Sequence, residues 1–290
     1  MKSKVKKRVV ITGASSGIGR ASVFRMLEAG WQVFATVRKS EDAEKLHCEA
    51  GTDVAPLIMD ITARDTIARA AHRISSQLSQ SGLDGLVNVA GIGMMRPLEY
   101  ATASDLQKIF DINVFGQIAV TQAFLPLLRK ARGRIVNISS VGAHIAIPFG
   151  GLLNASKSAF GALSNTLRVE LRPFGVRVST IEPGAIKTPA VDKTLGDVDS
   201  VISSLPGGDA NPYAKMLKTF AQRAYAQEAG GSPPEVVATA VHHALTSRRP
   251  RLRYRAGKHA NLLATLPGIL PEGLMDALVI RMLGLAVKTG

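Results

Sequence analysis

The chain has 290 residues, of which 46% are hydrophobic and 20% charged, as in an ordinary globular protein. This size accommodates one large α/β domain and excludes two comfortable ones, while the composition excludes disordered, collagen-like and coiled-coil chains. The net charge of +14 favours anionic ligands or surfaces, but zinc-finger spacing, aromatic-rich basic motifs and recognition-helix patterns are missing, so neither nucleic acid nor metal is expected.

The N-terminal segment and the cysteine content lead us to expect a cytoplasmic protein. Cys48 is the only cysteine, so an internal disulfide is excluded, which agrees with a reducing compartment. The basic segment 1–8 precedes an apolar run that covers only Val9 to Ile11, too short for a signal peptide and better interpreted as a strand. No stretch of about 18 uninterrupted apolar residues predicts a transmembrane helix.

Strands and helices alternate over the first two thirds of the chain. Strands are predicted at 7–12, 32–37, 54–59, 83–88, 134–139 and 176–181. Helices are predicted at 17–29, 41–50, 62–80 with Thr62 as N-cap, 104–132 with an interruption at Pro126, and 153–174. This alternation predicts βαβ units, hence a doubly wound parallel sheet with helices on both faces and ligands at the carboxyl ends of the strands.

The alternation lapses after Pro189. Segment 191–230 contains one helical patch at 213–228 and is well placed to be a substrate lid. A helix at 234–246, a last strand at 251–254 and an apolar helical extension at 258–290 complete the pattern. We therefore expect a single domain over 1–290, with a cofactor-binding and catalytic core at 7–189 and a lid at 190–231.

The strongest motif is Thr12-Gly13-Ala14-Ser15-Ser16-Gly17-Ile18-Gly19, which follows a predicted strand and opens a predicted helix. This is the context of a Rossmann-type dinucleotide loop. Gly13 is expected to permit the tight turn, Gly17 the approach of backbone N–H groups to a pyrophosphate, and Gly19 the close packing of helix on strand. The helix N-terminus would face the phosphates with unpaired donors and its positive dipole end.

The TGxxxGIG loop resembles the signature of the short-chain dehydrogenase/reductase family. Four further features between about Lys7 and Pro189 agree with this resemblance: Asp60 after the third strand, the turn Asn88-Val89-Ala90-Gly91, Asn113 on the long helix, and Pro183-Gly184-Ala185-Ile186-Lys187-Thr188. The resemblance implies a cofactor site formed by Gly13, Ser15, Ser16, Gly17, Ile18, Gly19, Arg38, Asp60, Ile61, Asn88, Ala90, Gly91, Lys157, Pro183, Gly184, Ile186 and Thr188.

The end of the second predicted strand favours NADP(H) over NAD(H). NAD enzymes place Asp or Glu here to hold the ribose 2′-hydroxyl, but this strand ends in Val37-Arg38-Lys39. A guanidinium fork at Arg38, with Lys39 and Ser16 nearby, suits a 2′-phosphate.

The resemblance also implies a catalytic Ser, Tyr and Lys, of which the chain has two. Ser140 matches the serine that polarises the substrate oxygen, with Ser139 expected to point to the other face. Lys157 matches the lysine that lowers the pKa of the tyrosine and binds ribose, and Asn113 the residue that holds a structural water. Leu153 stands at the tyrosine position and carries no titratable proton.

Three explanations of Leu153 stay open. The chain is a disabled or redesigned version of a working enzyme, or it binds the cofactor as a non-catalytic sensing protein, or another group donates the proton. His144 and Tyr213 are the candidates for such a group, and an ordinary loop histidine is favoured for His144.

The substrate is expected to be a lipophilic ketone, aldehyde or alcohol, because the strand end at 35–38 and segment 149–152 resemble the branch of 17β-hydroxysteroid and retinol dehydrogenases. An acyl-carrier or CoA-linked substrate is an alternative for so basic a surface. The apolar segment 261–283 follows a cationic cluster and favours peripheral membrane contact, though a lid helix or a dimer surface fits equally. The cationic cluster comprises Arg248, Arg249, Arg251, Arg253, Arg255 and Lys258. We also expect the chain to form a homo-oligomer.

Overall fold

A computed structural model describes residues 6–78, 81–195 and 197–285. Its strands are β1 (Arg8–Ile11), β2 (Gln32–Val37), β3 (Val54–Ile58), β4 (Gly85–Asn88), β5 (Arg134–Ile138), β6 (Arg177–Pro183) and β7 (Arg253–Ala256). They form one sheet in the order β3-β2-β1-β4-β5-β6-β7, and every neighbouring pair is parallel. The predicted Rossmann-type parallel sheet is confirmed.

The helices fall between and after these strands. They are α1 (Gly17–Glu28), α2 (Ser40–Ala50), α3 (Arg64–Leu78), α4 (Ala103–Phe110), α5 (Gln117–Ala131), α6 (Gly151–Glu170), α7 (Pro189–Leu195), α8 (Val198–Ser203), α9 (Ala214–Ala229), α10 (Glu235–Thr246), α11 (Ala260–Thr265) and α12 (Glu272–Met282). None of them, within the described residues, has the length and apolar character needed to cross a bilayer.

Helices cover both faces of the sheet, which explains why the strands read as nearly continuous apolar runs. On one face, Val23 and Met26 of α1 and Val241 of α10 pack on alternate residues of β1 and β2. On the other face, Ile74 of α3 and Phe124 of α5 pack against the strand residues that point the opposite way. This alternation places residues of one strand in two separate apolar cores.

The order of the strands reverses between β1 and β4. Ile11 at the end of β1 pairs with Ala35 of β2 on one side and Val87 of β4 on the other. The connections after β1 and β4 leave the sheet in opposite directions, so a crevice opens beyond Ile11. The predicted glycine loop begins at this crevice.

The long helix expected at 104–132 has a different internal structure. It runs as α4, a π-helical stretch at Asp111–Gly116, and α5. Pro126 does not interrupt it, since Phe124 and Leu128 on either side of the proline are fully buried. Their packing outweighs the roughly 3 kcal/mol that an interior proline costs a helix.

Thr62 is not the N-cap of the following helix. The helix begins at Arg64, and the Thr62 hydroxyl donates to the Asp60 carboxylate at 2.7 Å instead. A local bond between a threonine and a neighbouring aspartate competes with capping. Residues 79 and 80 of the predicted helix lie outside the described residues.

The chain after β6 contains more helix than the sequence predicted. Segment 189–229 forms three helices, α7 to α9, rather than one patch. Residues of α8 and α9, together with Phe149 and Leu283, form a third apolar cluster separate from the two cores on the sheet. The last strand, β7, begins two residues later than predicted, and residues 286–290 of the extension lie outside the described residues.

Candidate cofactor and active site

The loop between β1 and α1 has the backbone geometry of an anion-binding turn. Gly13 has φ +64°, and a Cβ at this position would lie 2.9 Å from the Cα of Ala90 in the loop after β4. Gly17 has φ +52° and begins α1, and a Cβ at this position would lie 3.2 Å from the Cβ of Thr188. The first turn of α1 contains no acidic residue and no side-chain cap, so its N–H groups and dipole end are free to bind an anion.

Gly19 and the two serines of this loop stand at the turn from β1 into α1. A Cβ at Gly19 would overlap the carbonyl oxygen of Gly13, so only glycine lets the helix close on the turn. Ser16 is the N-cap residue of α1, and Ser15 is exposed. Ile18 packs against the core beneath the loop.

Thr12 and Gln117 join the glycine loop to the turn after β4, and the sequence reasoning assigned neither of them to the site. The Thr12 hydroxyl oxygen accepts from the backbone N–H groups of Val89 at 2.9 Å and Ala90 at 3.1 Å. The Gln117 amide donates to the carbonyl oxygen of Ala90. The signal for Thr12 was its place directly before Gly13, whereas Gln117 is distant in sequence.

The residues after β2 and β3 stand at the same edge of the sheet. Arg38 and Lys39 are exposed, and among the described residues Arg38 has no salt-bridge partner. The Asp60 carboxylate accepts from the backbone N–H of Thr62 at 2.8 Å, and Ile61 is buried beside it. Arg38, the residue predicted to bind a cofactor phosphate, is thus free of a salt bridge among the described residues, whereas the Asp60 carboxylate is held by a hydrogen bond.

Asn88 lies in the core rather than in the crevice. Its amide nitrogen donates to the Thr121 hydroxyl and to the Asn137 amide oxygen, each at 2.9 Å. These bonds fix the end of β4 against β5 and α5. A direct contact of Asn88 with a cofactor stays a prediction.

Lys157, Asn113 and Gly91 meet on the far side of the crevice. A Cβ at Gly91 would lie 3.1 Å from the Asn113 amide oxygen and 3.5 Å from the Lys157 ammonium nitrogen. Asn113, inside the π-helical stretch, exchanges bonds of 2.9 Å with the backbone of Ile92 and donates to the Ser156 hydroxyl at 3.0 Å. Bulges of this kind recur at functional sites.

The ammonium group of Lys157 is buried and, among the described residues, forms no salt bridge with a carboxylate. Burial lowers the pKa of Lys157 from 10.5 to about 8. Its described hydrogen bond is to the carbonyl oxygen of Ile138 at 3.1 Å. A cation with spare donors at the edge of the crevice can bind hydroxyl groups of a ligand.

Ser140 and Leu153 flank the start of α6. The Ser140 hydroxyl oxygen accepts from the Gly142 N–H at 3.0 Å, which leaves its own proton free to donate. The neighbouring Ser139 is buried and donates instead to the Lys157 carbonyl oxygen at 3.2 Å, consistent with its expected orientation. Leu153 lies one helical turn before Lys157 and is half-buried, so it adds an apolar surface to the same helix face.

The segment after β6 crosses the crevice and is attached to α9. Pro183 is buried, and a Cβ at Gly184 would meet the backbone at Lys258 and Ala260. The Ile186 N–H donates to the Glu228 carboxylate at 3.1 Å, and burial raises the pKa of Glu228. Sequence reasoning missed Glu228, which carried no motif.

His144 and Tyr213, the alternative proton donors, are engaged elsewhere. The Nε2 of His144 bonds the carboxylate of Glu182 at 2.8 Å, and Arg253 donates to the same oxygen at 2.7 Å. Tyr213 packs edge to face on Phe149, with ring centroids 6.2 Å apart, and a bond to Glu99 raises its pKa. These contacts weaken the case for either residue as the proton donor.

Comparison with known proteins agrees with this geometry. Residues 7–198 match the family model described as short chain dehydrogenase. The chain belongs to the short-chain dehydrogenase/reductase family. It is 35% identical to retinol dehydrogenase 5 of Mus musculus over 279 residues, covering 93% of this chain and 87% of that protein. It is 34% identical to 17-beta-hydroxysteroid dehydrogenase type 6 of Rattus norvegicus over 283 residues, covering 94% and 87%.

A solved structure extends the comparison. A short chain dehydrogenase of Burkholderia cenocepacia in complex with NADP has a TM-score of 0.72 and 26% identity, with 94% of this chain and 97% of that chain covered. Members of the short-chain dehydrogenase/reductase family are oxidoreductases that bind a nicotinamide cofactor. A side chain at Gly13 would contact Ala90, and one at Gly17 would contact Thr188. Because both positions are glycine, the backbone of the loop stays accessible to a ligand. The residues present therefore fit a dinucleotide.

Proposed function

We propose that this chain is an NADP(H)-dependent oxidoreductase scaffold for a lipophilic ketone or aldehyde and its alcohol, with its chemistry impaired by Leu153. The observation that carries the proposal is the arrangement of the other site residues around Leu153. Lys157 is buried next to Asn113, Ser140 keeps a free hydroxyl proton, and the glycine loop retains its tight turns. One expected group, a phenol one turn before Lys157, is replaced by an alkyl side chain.

The residues of the chain divide the remaining work. When bound, the nicotinamide supplies the hydride or accepts it. Ser140 donates a hydrogen bond to the substrate oxygen and so stabilises developing negative charge, without giving up its proton. Lys157, whose pKa burial lowers to about 8, binds ribose hydroxyls and holds positive charge beside the reacting oxygen. Losing a general acid costs about 10²–10⁴ in rate, so Leu153 leaves at most slow turnover.

The cofactor preference rests on Arg38. Its guanidinium is exposed, follows β2 directly and has no carboxylate partner among the described residues. A 2′-phosphate would give it a bidentate partner, whereas a ribose hydroxyl would not. Calorimetric titration with NADPH and NADH tests this, and tighter binding of NADH would contradict it.

The substrate class is supported by the apolar cluster beside the crevice. Met95, Phe149 and Leu205 belong to it, and the relatives are named for a retinoid and a steroid. We take segment 190–231 as the lid, since a Cβ at Gly93 would overlap Thr194 of α7. Assay of the Leu153→Tyr variant with NADPH and a panel of lipophilic ketones and aldehydes tests the reaction, and inactivity of a variant that binds NADPH would contradict it.

A cofactor-binding protein without catalysis is the second candidate, and Leu153 itself favours it. In that case the ligand that binds over Leu153 would change NADPH affinity without being converted. Product analysis after incubation with stoichiometric NADPH separates the two functions, because a sensor returns its ligand unchanged.

We propose that the chain is a cytoplasmic homo-oligomer. We also propose that its C-terminal extension makes peripheral contact with a membrane surface. Leu262, Ile269 and Leu274 are more than half exposed around α11 and α12. Arg253 is tied to Glu182, so the cationic cluster at 248–258 is only partly available. Co-sedimentation with anionic liposomes at low salt tests the contact, and light scattering tests the oligomer.

A further inference from the structure

Five arginines surround one groove at the edge of the sheet opposite the crevice. The groove has a volume of about 450 Å³ and lies among the end of α6, the first residues of β6 and the connection between α10 and β7. The cofactor loops follow the carboxyl ends of the strands, whereas these elements meet at the amino ends. The groove is therefore separate from the candidate active site. Its arginines are Arg168, Arg172, Arg177, Arg248 and Arg249.

These arginines have no acidic counterpart in the groove. None of the residues that line it is Asp or Glu, and among the described residues none of the five forms a salt bridge. A groove between α1 and α10 provides a comparison, because it is lined by Arg20 and Arg25 together with Glu28 and Glu235. Arg25 is paired with Glu28 there at 3.2 Å.

Clustering like charges destabilises a fold, so an unpaired cluster calls for a compensating ligand. At the neighbouring strand, burial and then the charge of Arg177 lower the pKa of Arg134, which agrees with an excess of positive charge in this region. Arg177 donates one bond to the carbonyl oxygen of Arg248 at 2.8 Å, which holds the two elements together. The other donors of its guanidinium fork can face an anion.

The walls between the arginines are apolar. Val169 and Leu252, each about 60% exposed, line the groove together with the buried Val176 and Val178. A simple inorganic anion would leave this apolar surface exposed to solvent, whereas the organic part of a larger ligand would cover it. The volume is in the range of small-molecule sites.

We propose that this groove binds an organic polyphosphate, of the nucleoside di- or triphosphate class, independently of the cofactor. Several guanidinium groups require a ligand with several negative charges, since a monocarboxylate would neutralise only one. The apolar walls take the organic part. The concave shape favours such a ligand over a bilayer, which would reach only the rim, and over a nucleic acid, which would need an extended basic stripe.

Calorimetric titration with ATP, at saturating NADPH and without divalent metal, tests the proposal. Saturation with NADPH blocks phosphate binding at the glycine loop, so the remaining sites report on the groove. We expect one ATP per chain. The Arg172→Gln/Arg249→Gln double variant should bind ATP at least about tenfold more weakly, because hydrogen bonds to charged groups each contribute about 1.5–3 kcal/mol.

The matched control is Lys45→Gln/Arg73→Gln, which removes the same charge from exposed positions on α2 and α3. It should bind ATP within about twofold of the parent chain, and NADPH affinity should be unchanged in both double variants. If the glutamine variant does not fold, Arg172→Lys/Arg249→Lys keeps the charge and removes the planar forks, and severalfold weaker binding is expected. Absence of ATP binding to the parent chain, or equal weakening in the control pair, would overturn the proposal.

Discussion

Lys157 is a buried cation, and its lowered pKa predicts that its charge destabilises the folded state. The difference between its ordinary pKa of 10.5 and its value of about 8 corresponds to about 3 kcal/mol of unfavourable free energy at neutral pH. Replacing Lys157 by Met keeps a long flexible side chain, removes this penalty and loses the bond to the Ile138 carbonyl oxygen, worth about 1 kcal/mol. We expect Lys157→Met to stabilise the protein by about 2 kcal/mol at pH 7.

The pH dependence separates this explanation from a general packing effect. Because the folded-state pKa lies below the unfolded value, the penalty is fully present below pH 8 and is lost as the pH rises toward 10.5. Urea unfolding of both chains at pH 7 and pH 10 measures the difference directly. The advantage of the variant should nearly vanish at pH 10, and NADPH binding should weaken at pH 7. A variant that is less stable at pH 7, or whose advantage is equal at both pH values, would refute the reasoning.

Three further predictions concern the crevice and its supports. Arg38→Gln should weaken NADPH binding at least about tenfold and leave NADH binding nearly unchanged, as measured by calorimetry. Gly13→Ala should destabilise the fold by about 2–3 kcal/mol in urea unfolding, because the added Cβ meets backbone at 2.9 Å at a positive φ, whereas Gly30→Ala, with φ +76° and open space at the end of α1, should cost only about 1 kcal/mol. Glu182→Gln removes the buried charge that pairs with His144, Arg253 and Arg255 and should cost about 3 kcal/mol, and an unchanged midpoint would contradict the ion-pair assignment.

The sheet could be predicted because its signals are local. Each predicted strand overlaps the observed one within a few residues, since an apolar run bounded by glycine or polar residues leaves few alternatives. The errors arose where tertiary packing decides. Pro126 looked like an interruption until Phe124 and Leu128 were seen buried on both sides, and α7 and α8 carry too little periodicity to be recognised.

The candidate site divides in the same way. The glycine loop and Lys157 belong to contiguous motifs that mark them in the sequence, whereas Glu228 and Gln117 contact the candidate site from helices that are distant in sequence. Asn88 belongs to a motif that suggested a ligand contact, but both bonds of its amide nitrogen lie in the core, so that contact stays a prediction. Spacing along the chain identifies which residues share a loop, but not which side chains turn toward it.

The proposed loss of activity depends on one missing hydroxyl, so the most direct measurement compares Leu153→Tyr with Leu153→Phe in NADPH turnover of lipophilic ketones and aldehydes. The phenylalanine variant supplies the aromatic ring without the acidic proton. We expect about 10²–10⁴ times more turnover in the tyrosine variant than in the phenylalanine variant or the parent chain, at similar NADPH affinity. Equal turnover in all three chains would contradict the account and assign the proton transfer to another group.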